Sequence, residues 1–119
     1  MSAEDFYRLV AARQSDRAYD TDRPVEPEKV QRILEATRLS PSACNGQPWH
    51  FIVITNSQLR EDIARSMAGL GLNKWAIQAP VLILIVEEAT KATSLLGGLV
   101  KHNHYPHIDL GIAAAHLTL

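Results

Sequence analysis

The stretch Ser40-Pro41-Ser42-Ala43-Cys44-Asn45-Gly46-Gln47-Pro48 runs into Trp49-His50-Phe51-Ile52-Val53-Ile54-Thr55, and its character changes at the boundary. The first nine residues are small, polar or proline, so they read as loop; the next seven are aromatic and β-branched, the composition of a buried strand. Upstream, Val30, Ile33, Leu34 and Leu39 recur at three- and four-residue spacing behind Pro27 and Glu28. This predicts a helix that must stop near Ser40, because Pro41 cannot continue it. Helix, stiff small-residue loop and buried strand thus follow one another without a spacer.

Working outward, Ala3 to Ala12 places Phe6, Leu9 and Val10 at helical intervals, with Ser2 as N-cap and Glu4 and Asp5 in the first turn. Periodicity is lost from Arg13 to Arg23. Downstream, Ser57 is expected to cap a helix through Leu59, Ile63, Met67 and Leu70 that Gly69 and Gly71 end, and the apolar run Val81 to Val86 reads as a second buried strand. Residues Glu87 to Pro106 read as a loop or a short mobile helix. Asp109 is expected to cap a last helix to Leu119, in which Gly111 and the alanines permit close backbone contact. That helix is apolar over most of its circumference and so belongs in a core or between subunits.

The 119 residues carry 12 Lys+Arg against 13 Asp+Glu, a formal charge of -1, and are 46% hydrophobic, which fits one globular domain over 1–119. With near-neutral charge and no run of like charges, a nucleic-acid partner is not expected. The longest apolar run is far short of the roughly 20 residues a bilayer requires, so no membrane partner is expected. A single cysteine, Cys44, and an N-terminus without a signal-peptide pattern point to a reducing cytoplasm.

Four clusters could carry chemistry. In Arg13-Gln14-Ser15-Asp16-Arg17, an extended backbone would set Arg13, Ser15 and Arg17 on one side, two guanidinium groups about a hydroxyl, which suits a phosphate. The alternative is that Arg13 compensates a helix C-terminus while Arg17 is solvated or paired with Asp16 or Asp20. In the 40–48 loop, small residues let a planar ligand approach the main chain, and Asn45 and Gln47 offer the alternating donors and acceptors that a heteroaromatic edge requires. The alternative is a tight turn whose amides satisfy their own backbone. Cys44 as a nucleophile would need a base, for which His50 is nearest in sequence. His102, His104 and His107 could hold a metal, but no second ligand pair has a recognised spacing, so hydrogen-bonded or solvated histidines are expected. The helix from Asp109 to Leu119 is the fourth, packing in the core or pairing with a second copy.

Taken in order, Arg13-Gln14-Ser15-Asp16-Arg17, the 40–49 stretch, Ala79-Pro80-Val81 and Asp109-Leu110-Gly111-Ile112-Ala113-Ala114 resemble the nitroreductase family of FMN-dependent NAD(P)H oxidoreductases. The resemblance covers nearly the whole chain; its Pro-Ser-x-x-Asn-x-Gln-Pro-Trp portion is the specific part. It implies an α+β nitroreductase-like fold, an antiparallel or mixed sheet flanked by helices, assembled as an intertwined homodimer with flavin at the interface. Arg13, Ser15 and Arg17 then resemble contacts to the FMN phosphate and its ribityl or pyrimidine end, with Gln14 among them through its main chain. Pro41, Ser42, Ala43, Asn45 and Gln47 resemble the loop reaching FMN from the partner subunit, and the helix from Asp109 resembles the central dimer helix.

The implied reaction is a ping-pong cycle in which a hydride passes from NAD(P)H to flavin N5 and then to a small-molecule acceptor such as a nitroaromatic or quinone. No side chain need act as acid or nucleophile. Family members continue past the central helix into another strand, a Gly-containing segment facing the flavin and a basic C-terminal residue; these are missing, and Glu88 to Tyr105 is compressed, so truncation at the C-terminus is expected. The competing readings are a non-catalytic flavin-binding or dimerisation module of the same fold, a dehalogenase-like or flavin-destroying relative, and a His-rich metal-binding domain.

Overall fold

A computed structural model describes residues 2–88 and 105–119 of the chain. The elements in order are α1 (Ala3–Ala12), α2 (Pro27–Arg38), a 3-10 turn at Ala43–Asn45, β1 (Trp49–Ile54), α3 (Ser57–Met67), a second 3-10 turn at Lys74–Gln78, β2 (Leu82–Glu87) and α4 (Tyr105–Thr118). Local chemistry accounts for most boundaries. Ser2 Oγ accepts from Asp5 N at 3.1 Å while Asp5 Oδ2 accepts from Ser2 N at 2.8 Å, a reciprocal capping box opening α1. Pro27, whose fixed φ suits a first helical position, opens α2. Past α3, Gly69 and Gly71 take φ of +46° and +93°, the left-handed backbone that ends a helix at least cost when the residue has no Cβ.

Two caps fall elsewhere than expected. Asn56 rather than Ser57 caps α3, its Oδ1 accepting from Leu59 N at 2.9 Å. Asp109 lies within its helix rather than at its start, since α4 is already helical at Tyr105, and its described hydrogen bonds go to another element. The expected loop between Glu87 and Pro106 lies largely outside the described residues, and so do His102 and His104.

β1 and β2 pair antiparallel, from Trp49 opposite Glu87 to Ile54 opposite Leu82. Trp49, Phe51 and Val53 therefore share a face with Glu87, Ile85 and Ile83, and the rings of Trp49 and Phe51 stack 6.4 Å apart. Neither strand is fully buried as the apolar runs predict. Only Trp49 and Ile54 of β1 are buried, and β2 is half-exposed, because strand composition reports what a face would bury and not what covers it.

α4 packs on α2 and on β2, with Ala113 fully buried in the seam, and α3 packs on the Lys74–Gln78 turn around Ala64 and Ala76. Every residue of α1 is exposed, Phe6, Tyr7, Leu9 and Val10 included. The close backbone contact expected at Gly111 is also not made: a Cβ built there meets nothing within 4 Å, so that side of α4 is open among the described residues.

Candidate functional site

Between α2 and β1 the chain makes a tight turn anchored at both ends. Upstream, Thr37 is fully buried with its hydroxyl donating to Ile33 O at 2.7 Å, and the buried Ser40 donates through Oγ to Thr37 O at 2.6 Å. Downstream, Pro48 and Trp49 are buried, and Pro48 O accepts from Glu88 N at 3.1 Å. Between these anchors Asn45 N donates to Ser42 O at 3.0 Å and Gly46 N to Ala43 O at 2.9 Å, so the expected loop contains a turn of 3-10 helix. Ser42 Oγ closes it by accepting from Gln47 N at 2.9 Å.

Cys44, Asn45 and Gln47 have φ of +52°, +51° and +47°. Asn tolerates this left-handed region, but for Cys and Gln it costs about 1–2 kcal/mol each, which the surroundings must offset. One restraint comes from α4. The Asp109 carboxylate, 4% exposed, accepts from Ala43 N through both oxygens, at 3.1 and 3.2 Å. Ala43 N–H is the first donor of the 3-10 turn, so a helix side chain 66 residues away performs the capping that a local residue usually performs. This role was missed in the sequence. Gln47 Nε2 donates to Asn45 Oδ1 at 3.2 Å, so the Gln47 amide group is joined to its neighbour rather than spent on the turn's backbone.

The Arg13–Arg17 segment is built differently. Arg13 ends α1 with an extended backbone, φ −62° and ψ 127°, and residues 13–18 are exposed and without regular structure. Asp16 accepts from Gln14 Nε2 at 3.0 Å and Asp20 accepts from Asp22 N at 3.1 Å. Neither pairs with Arg17, and among the described residues the Arg13 and Arg17 guanidinium groups make no ion pair or hydrogen bond. The segment is fixed just beyond its end. Tyr19 packs its ring 6.0 Å from that of Trp75, donates through N to Gln78 Oε1 at 3.3 Å and through its hydroxyl to Asp16 O at 3.2 Å. No hydrogen bond or ion pair between described residues joins this segment to the 42–47 turn within one chain.

The other candidates resolve as follows. Cys44 is free and exposed, and His50 lies with Nδ1 3.4 Å from Glu88 Oε1, without a hydrogen bond to Cys44. His107 Nε2 is 3.2 Å from Glu87 Oε2, and no group of metal-ligating side chains occurs among the described residues. A cavity of about 460 Å³ lies between α2 and β1, with Leu34, Arg38, Gln47, Trp49 and Phe51 in its wall. Resolved titration shifts lie at helix ends: the Ser2 backbone and hydroxyl lower the Asp5 pKa, Lys29 lowers that of Glu26 and Arg38 that of Glu35. No helix among the described residues is long and apolar enough to cross a membrane.

The family model described as "Nitroreductase family" matches residues 10–119, a span containing both clusters. An oxygen-insensitive NADPH nitroreductase of Helicobacter acinonychis is 31% identical over 105 residues, covering 88% of this chain and 49% of the relative. An oxygen-insensitive NAD(P)H nitroreductase of Enterobacter cloacae is 34% identical over 65 residues, covering 55% of this chain and 30% of the relative. Among solved structures, an FMN-dependent nitroreductase of Clostridium difficile R20291 superposes with a TM-score of 0.72 at 27% identity, over 92% of this chain and 56% of that one. This chain spans about half the length of the first relative and less of the second. By its fold, a small antiparallel sheet flanked by helices, and by the family match over nearly all its length, the chain belongs to the nitroreductase family.

Proposed function

We propose that this chain forms the flavin-binding part of a homodimeric FMN-dependent NAD(P)H oxidoreductase acting on small acceptors such as nitroaromatics or quinones. The observation that carries this reading is the family match across residues 10–119 together with what those residues offer: exposed Arg13 and Arg17, unpaired among the described residues, beside Ser15, and a hydrogen-bonded small-residue turn bearing Asn45 and Gln47. The donor set fits FMN. Two guanidinium groups and a hydroxyl match a phosphate, which takes charge-assisted and bidentate bonds from arginine. Gln14 contributes through its main chain. Amides held beside Pro41, Ser42 and Ala43 match the edge of a flat heteroaromatic ring, with no bulky side chain in the way.

Bound there, FMN supplies the two-electron chemistry, and the chain's residues bind and orient it. No hydrogen bond or ion pair between described residues joins the two clusters in one chain, and in this reading the site is completed across a twofold axis, the turn of one protomer meeting the arginine segment of its partner. The exposed apolar stripe of α1 and the open Gly111 side of α4 are surfaces such pairing would cover. A reducing cytoplasm suits the exposed free Cys44.

The test is the visible spectrum of the full chain after FMN addition and removal of unbound flavin. Retained colour that bleaches with NADH or NADPH and returns on adding a nitroaromatic or quinone supports the enzyme. Retained colour that does not bleach supports a non-catalytic flavin-binding module of the same fold. A colourless sample overturns both.

A further inference from the structure

We propose that Asp109 is a positioning residue for the flavin turn: from α4, its carboxylate holds Ala43 N–H and so fixes the 42–47 backbone in the conformation that receives the ligand. This rests on the reading of the turn as a flavin contact. Three observations carry it. Asp109 is buried on a helix, yet its described hydrogen bonds leave that helix, both oxygens accepting from Ala43 N. A buried carboxylate without donors is strongly disfavoured, so the N–H and the carboxylate hold each other in place. The turn it grips carries left-handed φ at Cys44, Asn45 and Gln47, which costs energy at Cys44 and Gln47 that the surroundings must offset. Finally, the bonds within the turn, from Asn45 N, Gly46 N and Gln47 N, close it on itself, and its flanks are anchored only at Ser40 and at Pro48. Between those anchors the Asp109 bond ties the turn's own backbone to α4, which is itself seated on α2 and β2.

Asp109→Asn keeps one acceptor oxygen and loses the charge; Asp109→Ala removes both. The test compares them with the unaltered full chain by three readouts. These are hydrogen exchange at the Ala43 amide, alkylation of the exposed Cys44 by iodoacetamide, and the Kd for FMN from quenching of flavin fluorescence, taken well below the thermal transition of each protein. Asp109→Ala is expected to speed Ala43 exchange and weaken FMN roughly 10–100-fold, the worth of a hydrogen bond to a charged group, with Cys44 alkylated at a changed rate. Asp109→Asn should fall between the two, since a neutral bond is about half as strong as a charge-assisted one.

A merely structural role would lower the transition temperature and leave the Kd of the folded protein unchanged, which overturns the proposal. So would unchanged Ala43 exchange in Asp109→Asn, the variant used should Asp109→Ala not fold. If the unaltered chain binds no FMN, the proposed function fails on its own; Ala43 exchange and Cys44 alkylation then decide whether Asp109 fixes the turn, and unchanged values for both overturn that.

Discussion

The 42–47 turn and the 13–17 segment offer complementary chemistry, yet the chain holds them by opposite means. The turn is anchored by buried residues on both sides, closed by its own hydrogen bonds and tied from α4 by Asp109. The arginine segment is exposed along its length, and among the described residues it is tied to other elements just past its end, where Tyr19 meets Trp75 and Gln78. Affinity for a ligand held by both depends on how much ordering each must undergo on binding. The turn is built in advance, so its contribution is limited by the stability of the α2–α4 seam. In the proposed reading the segment supplies charge that is ordered when the phosphate arrives, which makes its contribution electrostatic and nearly independent of folding.

The largest expected effect follows from the segment. Arg13→Ala and Arg17→Ala should each weaken FMN binding roughly 10–100-fold, the worth of a hydrogen bond to a charged group, while urea-unfolding stability stays within about 0.5 kcal/mol. A large stability change with unaltered Kd would erase the contrast. Next comes the seam supporting the turn. Ala113 is fully buried between α4 and its neighbours, so Ala113→Leu should cost about 1–3 kcal/mol by overpacking. Cys44 alkylation would report whether the damage reaches the turn. Unchanged stability would show that the seam is not the turn's foundation.

Smaller is the backbone strain of the turn itself. Cys44→Gly should raise stability by up to about 1 kcal/mol, because glycine at φ +52° escapes most of the left-handed penalty at the cost of a freer unfolded chain. A loss of stability on denaturant titration would mean the Cys44 side chain has contacts that outweigh the strain.

The smallest effect concerns α1, which leads into the arginine segment. The Ser2 contacts lower the Asp5 pKa, so the support given by the ionised carboxylate is complete above its unfolded-state value and is lost as pH falls through the lower folded value. Helicity of α1, followed by NMR shifts, should decline only below about pH 4, with the turn unaffected. Decline of both together would couple the two regions.

Much of this contrast was legible in the sequence. Ser2 before a helix with Glu4 and Asp5 in its first turn, Pro27 at a helix start, Gly69 and Gly71 past a helix end and the β-branched run after Trp49 are local signals, and local physics delivers the elements they predict. The partnership of Asp109 with Ala43 was not legible, because a bond across 66 residues leaves no mark in the nearby pattern, and Asp before an apolar run imitates an N-cap. Asn56 and Ser57 are both capable caps, and only the backbone geometry chooses between them. The half-exposed strands show the other limit: residue type states how well a face can be buried, whereas the covering surface is set elsewhere. From the residues alone Arg13 and Arg17 read as solvated or paired as well as phosphate-binding, and their exposure is compatible with a ligand that arrives later.

The central claim is that one flavin is held by the arginine segment of one protomer and the turn of the other. Arg13→Ala/Arg17→Ala and Asn45→Ala/Gln47→Ala chains, each expected to bind FMN poorly alone, can be unfolded together, refolded as a mixture and titrated with FMN. A shared site predicts that random pairing restores tight binding at about a quarter of the sites, since each mixed dimer holds one site with both halves intact. Tight binding that stays absent in a mixture shown by mass spectrometry to contain mixed dimers would contradict the account.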